Sequence, residues 1–579
     1  MTSETDARPR AATLATRARA LFPPATWLRS YSPAWLPADA VAGVTLAAYA
    51  IPVALAYASL AGLPPQHGIY CYLVAGVAYA LFGTSRQLAV GPTSAISLLV
   101  GTTVAGMAGG DPARFAQIAA LVALVFAAIS FLAWLLRLSS LVNFISETVL
   151  LGFKAGAAVT IALTQLPKLF GVPGGGDHFF ERAWMLATQL PATRPVVLAF
   201  GIGAIVLLLA GERFLPSRPV ALFVVVAAIV ALTVTPLAEQ GFKVLGVLPA
   251  GLPPFGRPSL RIADVDGVIP LAFACFLLAY IEGVSAARAL ARKHGDEIDP
   301  RQELFALGAS NLAVAFFQGY PVAGGLSQSS VNDKAGARSP LALVFASLAI
   351  ALCLVFLGDL LRNLPDVVLA AIVLVAVKGL VDVAELRRTW RLSRLEFWIA
   401  AVAFVGVLLL GILKGVLLAA VASLLVLLHR AANPHVARLG RVPGTSRWSD
   451  LDRHPDNEAR PGVLVVRVES GLFYFNVGHV RDQLRRHVAA AGAGLRLVVW
   501  DLSSSANVDL AGCRLIADFR AELAGRGAIL RVVDARASVR DLVREAVGED
   551  LGTVDRRLSI DDTIAAQPPG ASTAPSPAR

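Results

Sequence analysis

Gly83-Thr84-Ser85-Arg86-Gln87-Leu88-Ala89-Val90-Gly91-Pro92-Thr93-Ser94-Ala95 and Gly319-Tyr320-Pro321-Val322-Ala323-Gly324-Gly325-Leu326-Ser327-Gln328-Ser329-Ser330 are the two stretches that decide how this chain folds. The first places a glycine and a proline suited to the opening turn of a helix just before two hydroxyl residues, which is a helix start. The second has a glycine hinge followed by hydroxyls and an amide. Each interrupts an apolar segment, near 91–107 and near 324–338, that is too short to cross a bilayer alone.

Outward from these breaks the chain is strongly apolar. Of its 579 residues 56% are hydrophobic and only 16% charged, with a mean hydropathy of +0.65. Soluble chains average about 25% charged residues, so lipid must cover part of this one. Twelve apolar stretches read as spans, at 39–59, 67–83, 114–136, 141–165, 196–211, 217–236, 268–288, 303–319, 340–361, 365–381, 395–411 and 412–430. Adding the two broken segments makes fourteen, and each broken segment is then the third of seven in its half. An odd number of crossings per half inverts the second half relative to the first. The two helix starts are therefore expected to face one another near the midplane, the arrangement that marks a transporter binding site. Each would offer unpaired N–H groups and about half a positive charge, which suits an anion.

Charge placement sets the topology. Arg8, Arg10, Arg17, Arg19 and Arg29 precede the first span, and alternation then puts Arg86, Arg137, Arg213, Arg288, Arg338, the 387–394 arginine cluster and Arg430 on the same side. Both termini are thus expected in the cytoplasm. The Arg-rich residues 1–38 read as a retained cytoplasmic arm and residues 39–430 as the transport domain. The net charge of +11 is spread in these short clusters, with no basic stripe for nucleic acid. Arginine-rich, lysine-poor usage points to a bacterial cytoplasmic membrane. Cys71, Cys275, Cys353 and Cys513 are too scattered for a disulfide framework or a metal site, and no Walker A motif is present. No cofactor, metal or enzymatic constellation is expected.

Beyond 430 the character changes. Residues 431–460 read as a polar linker. Strands at 462–469, 495–502 and 528–533 alternate with helices at 477–490, 510–525 and 539–547, an α/β domain over 461–566. Phe473, Tyr474 and Phe475 read as core aromatics, with a docking surface as the alternative. The low-complexity residues 567–579 are expected to be disordered.

Glu282 sits within Phe273-Ala274-Cys275-Phe276-Leu277-Leu278-Ala279-Tyr280-Ile281-Glu282-Gly283. An intramembrane carboxylate is a functional candidate by default, here for carrying a proton coupled to anion movement. Glu147 and Lys154, seven apart and so on one helical face, read as a structural or gating pair.

Several stretches resemble the sulfate-permease (SulP) family. Residues 43–65 look like its first helix, 65–100 like its signature over the second and third helices, and 246–259 like its glycine/proline loop. Glu282 falls on its acidic position, and the soluble tail resembles its STAS domain. The resemblance implies a seven-plus-seven inverted repeat split into a core (segments 1–4 and 8–11) and a gate (5–7 and 12–14). It implies an elevator-like movement of the core, a cytoplasmic STAS domain, and a homodimer with a protein partner at that domain as a further expectation. Its substrate site would use Thr93, Ser94, Ser327, Gln328, Ser329, Tyr49 and Tyr57, with Glu282 for proton coupling and sodium as the alternative coupling ion. Three positions depart from the family pattern. Pro52 is followed by Val53 rather than Gln, Ser327 by Gln328 rather than Arg, and the phosphoacceptor loop reads Asp509-Leu510-Ala511-Gly512. The function expected is secondary transport of a sulfate-type anion, with bicarbonate or a dicarboxylate as alternatives, and a membrane sensor signalling through STAS as the reading from another class.

Overall fold

The computed structural model describes residues 27–28, 31–139, 147–176, 178–215, 219–235, 240–247, 249, 251–259, 261, 264–547 and 559–566. The disorder expected of 567–579 falls outside them. The chain divides into two compact units at Ser423/Leu424.

In the first unit, the first half carries α1 (Leu36–Leu60), α2 (Gln66–Phe82), β1 (Val90–Gly91), α3 (Ser94–Ala108), α4 (Pro112–Leu135), α5 (Glu147–Phe170), a short α6 (Phe179–Gln189), α7 (Pro195–Phe214) and α8 (Val220–Val234). The second half carries α9 (Val265–His294), α10 (Pro300–Phe316), β2 (Ala323–Gly324), α11 (Leu326–Lys334), α12 (Leu341–Phe356), α13 (Asp366–Lys378), an amphipathic α14 (Val383–Leu392), α15 (Arg394–Leu410) and α16 (Ile412–Ala432), which runs into the second unit. Among the described residues, six helices are each long and apolar enough to cross a membrane, and α3, α8 and α12 are shorter apolar ones.

Packing repeats between the halves. The α1–α12 contact has its counterpart in α9–α4, α2–α12 in α10–α4, and α5–α15 in α13–α7, while α2–α10 and α5–α13 pair equivalent helices with each other. A two-fold relation between the halves produces this exchange. It sorts α1–α4 and α9–α12 into one bundle and α5, α7, α13 and α15 into another. Lipid tails supply no hydrophobic drive between helices, so small residues set how closely they approach. Gly152 and Gly156 of α5 face α15: a Cβ on Gly152 would sit 2.8 Å from Ala400 Cα, and one on Gly156 would sit 2.9 Å from Phe404 O.

At the centre β1 and β2 pair antiparallel, Val90 against Gly324 and Gly91 against Ala323. Irregular backbone at this depth is tolerated only where the protein satisfies its polar groups, and side chains supply the partners. Asn311 brackets Val322, donating to its carbonyl at 3.2 Å and accepting its N–H at 3.0 Å. The Ser329 hydroxyl accepts from Ala89 N at 2.9 Å, and Asn332 donates to Gln87 O at 3.1 Å.

The second unit holds a five-stranded sheet in the order β4-β3-β5-β6-β7. Its strands are β3 (Val436–Arg441), β4 (Trp448–Asp450), β5 (Val463–Val468), β6 (Leu497–Asp501) and β7 (Ile529–Val533), with helices α17 (Val477–Ala491), α18 (Leu510–Ala524), α19 (Ala537–Val547) and α20 (Ile560–Ala565). β5, β6 and β7 run parallel and are joined through helices, as parallel pairs require. The stretch 431–460, read as a linker, instead supplies β3 and β4, which add antiparallel to the sheet. Arginines and acids spaced through those short strands hid the alternation. Tyr474 and Phe475 are not core residues; they are 77% and 42% exposed. Asp509 caps α18 through Gly512 N (2.9 Å) and also accepts from Tyr474 N (2.7 Å), so it holds this aromatic loop.

Candidate functional site

Both half-helices begin immediately beyond the β1–β2 pair. Thr93 caps α3 in extended conformation, and Gly325 does the same for α11. Because the two strands are antiparallel, the helix starts meet from opposite directions. The first-turn N–H groups of each lack intrahelical acceptors, so two positive helix ends converge on one place.

A cavity of about 230 Å³ opens there. From α1 come Tyr49 and Tyr57; from the start of α3, Thr93 and Ser94; from α9, Glu282 and Ser285; and from the start of α11, Ser327 and Gln328. Ala376, Gly379 and Leu380 at the end of α13, with Lys154 of α5, close the opposite wall. The cavity therefore lies where the two bundles meet.

Glu282 is placed by its neighbour Gly283. A Cβ on Gly324 would sit 3.1 Å from Gly283 Cα and 2.9 Å from Leu88 Cδ2. Glycine at 324 lets α9 lie this close to β2, and the Glu282 carboxylate then borders the cavity beside the two helix starts. Among the described residues the buried Thr93 hydroxyl has no hydrogen-bond partner, and it lies on the cavity wall. A buried hydroxyl normally has a partner, so this one is available to a ligand.

Two predicted ligands sit differently from expectation. Ser329 is not on the wall; its hydroxyl bonds Ala89 N and donates to Gly325 O at 2.7 Å, so it joins the two broken segments. Gln328 borders the cavity, yet its amide is fully engaged. Nε2 donates to Ala89 O at 3.0 Å and Ala323 O at 3.2 Å, and Oε1 accepts from the Tyr72 hydroxyl. Its donors brace β1 against β2. Gln328→Leu removes the side-chain partner of the Ala323 carbonyl and of the Tyr72 hydroxyl, while the Ala89 carbonyl keeps the Gly325 N–H at 3.3 Å; a buried group left unpaired costs about 1–3 kcal/mol. The variant should therefore lose thermal stability and uptake together, whereas Ser327→Ala should lose uptake at unchanged stability. Thermal unfolding in detergent beside proteoliposome uptake separates the two.

Sequence reading underrated Lys154 and passed over Ser285. The rule that singled out Glu282 applies equally to an intramembrane lysine, but the seven-residue spacing drew Lys154 towards Glu147, whose side chain lies outside those described. With Gly152 and Gly156 turned to α15, Lys154 points to the other side of α5, and there it lines the cavity. The cavity thus carries one cation from the second bundle and one carboxylate from the first.

Comparison with known proteins agrees with this architecture. A model of the sulfate permease family matches residues 36–403 and a STAS-domain model matches 454–557. A probable sulfate transporter of Mycobacterium tuberculosis is 34% identical over 527 residues, covering 90% of this chain and 94% of that protein. The chloroplastic sulfate transporter 4.1 of Arabidopsis thaliana is 32% identical over 81% of this chain and 70% of its own length. Among solved structures, the murine Slc26a9 anion transporter in its inward-facing state superposes with a TM-score of 0.87 at 23% identity, covering 96% of each chain. The transmembrane domain of a cyanobacterial bicarbonate transporter, BicA, superposes with a TM-score of 0.59 at 22% identity, over 67% of this chain and 97% of that one. The chain belongs to the sulfate permease family and carries a C-terminal STAS domain.

Proposed function

We propose that this protein is a multi-pass secondary transporter of small anions in the bacterial cytoplasmic membrane. The observation that carries the reading is the cavity itself: two opposed half-helix starts, a free Thr93 hydroxyl, Lys154 and Glu282 around about 230 Å³. Helix ends and hydroxyls hold an anion without a fixed charge at position 328. Lys154 supplies the full charge from the facing bundle. The names of the relatives favour a sulfate-type substrate, with bicarbonate or a dicarboxylate as the alternatives.

Glu282 is the coupling group in this reading. Ionised, it cancels Lys154 and opposes an anion; protonated, it leaves the cavity with one net positive charge. Anion and proton then enter together, and the α1–α4/α9–α12 bundle carries both past the α5/α13 wall in an elevator-like movement. Small residues at Ala376 and Gly379 keep that wall smooth.

Reconstituted uptake of labelled sulfate, bicarbonate and fumarate, with and without an inward proton gradient, tests the proposal. Acceleration by the gradient is expected for one of the three. Glu282→Gln, locked neutral, should bind anion and exchange it but lose the acceleration. Gradient-driven uptake that persists in Glu282→Gln would remove Glu282 from the coupling step, and no flux of any anion would sink the transport reading.

A further inference from the structure

The helix α14 and the start of α15 form another concave surface, of about 540 Å³, lined by Leu386, Arg387, Trp390, Arg391, Phe397 and Trp398. Its charge is unbalanced. Arg388 of the same helix pairs with Glu385 at 3.4 Å, and Arg394 lies over the Trp390 ring at 5.4 Å. Arg387 and Arg391, four residues apart on one helical face, have no hydrogen-bond or ionic partner among the described residues. Both are exposed. Two guanidinium groups side by side match a phosphate.

The floor beneath them is aromatic. Trp390 and Phe397 meet edge-to-face at 4.8 Å, while Trp390 and Trp398 remain 41% and 60% exposed. From this floor an apolar stripe continues along α15 through Leu395, Trp398, Val402, Val405 and Leu409, all 46% exposed or more. Their spacing of three and four residues keeps them on one face. In a membrane such a face is covered by acyl chains, and tryptophans mark the headgroup level. The arginine cluster belongs to the cytoplasmic side by the charge rule.

We propose that this groove is a binding site for an anionic phospholipid of the inner leaflet. Its phosphate is held by Arg387 and Arg391, its glycerol backbone lies against Trp390 and Phe397, and one acyl chain follows the α15 stripe. Headgroup charge and chain continuity are read together, so neither free phosphate nor a neutral lipid satisfies the site.

The test uses the full-length protein, delipidated in detergent and titrated with phospholipids whose acyl chains carry bromine, a contact quencher of tryptophan. Half-maximal quenching should need roughly tenfold less phosphatidylglycerol than phosphatidylcholine, the scale expected of two arginines at an anionic surface. The chain has eight tryptophans, so Trp390→Phe/Trp398→Phe identifies the signal: it should remove the selective component. Arg387→Gln/Arg391→Gln should abolish the preference, and its unfolding temperature checks that it folds. Equal quenching by both lipids, a preference that survives the arginine double variant, or displacement of the brominated lipid by inorganic phosphate alone would each overturn the proposal. So would quenching by neither lipid, the result expected if another protein surface, such as the STAS domain, covers the groove.

Discussion

Lys154→Gln should lower the efficiency of anion uptake roughly ten- to hundredfold, while Lys154→Arg keeps most of it. A hydrogen bond to a charged group contributes about 1.5–3 kcal/mol, and each 1.4 kcal/mol is about a factor of ten. The remaining donors of the cavity are neutral, among them the Thr93, Ser94, Ser285, Ser327, Tyr49 and Tyr57 hydroxyls and the first-turn amides of α3 and α11. In the proposed reading they position an anion, while among the described lining residues only Lys154 brings a whole positive charge to the wall. The loss should therefore appear as a raised KM, and it should be larger for a divalent than for a monovalent anion. Combining Lys154→Gln with Glu282→Gln provides an internal control. If the two groups act on one bound anion, the second substitution restores part of what the first removed, because a neutral residue then replaces an uncompensated carboxylate. Uptake by Lys154→Gln at the parental KM would show that Lys154 does not meet the substrate.

The largest effect on stability is expected from Asp39→Ala. Asp39 is 0% exposed. Its carboxylate accepts from Arg338 N at 2.7 Å, Ser339 N at 3.1 Å, the Ser339 hydroxyl at 2.7 Å and the Tyr31 hydroxyl at 3.1 Å. These bonds tie the start of α1 to the turn before α12, and α1 and α12 are neighbours within the first bundle. Alanine would strand two backbone N–H groups and two hydroxyls. At about 1–3 kcal/mol for each buried group left unpaired, and allowing for the partly exposed tyrosine, the cost is about 3–5 kcal/mol. That is a large share of the margin by which most proteins stay folded. Asp39→Asn keeps one acceptor oxygen for the two backbone N–H groups, and its amide can donate to the hydroxyls once they rotate, so it should lose less than half as much. Recovery of monodisperse protein and its unfolding temperature report the ranking; an Asp39→Ala protein as stable as the parent would refute it.

Little near Asp39 in the sequence announces this role: Tyr31 is eight positions away, but the Arg338 and Ser339 donors lie about 300 positions away. Local pattern was informative where local physics dominates. The apolar stretches coincide with helices to within a few residues, because a backbone in lipid has to satisfy its hydrogen bonds internally. In the second unit the parallel strands were visible as continuous Val/Leu runs, largely buried on both faces. The antiparallel strands β3 and β4 were not, because they are short and punctuated by arginine and aspartate.

The two broken segments show the same boundary at the candidate site. Their glycines, proline and hydroxyls determine by themselves that two half-helices start inside the membrane, since those residues break one conformation and begin another. An odd number of crossings per half is the reason to expect the starts to oppose each other; in the structure the antiparallel β1–β2 pair sets them so. Which side chains face the gap is a different matter. Gln328 and Ser329 carry donors suited to an anion, yet the unpaired carbonyls and amides of the neighbouring extended chain claim those donors first. Lys154 reaches the cavity because Gly152 and Gly156 turn the opposite face of α5 against α15. Sequence fixes what a residue can bond; only the packed structure decides which bonds have already been made.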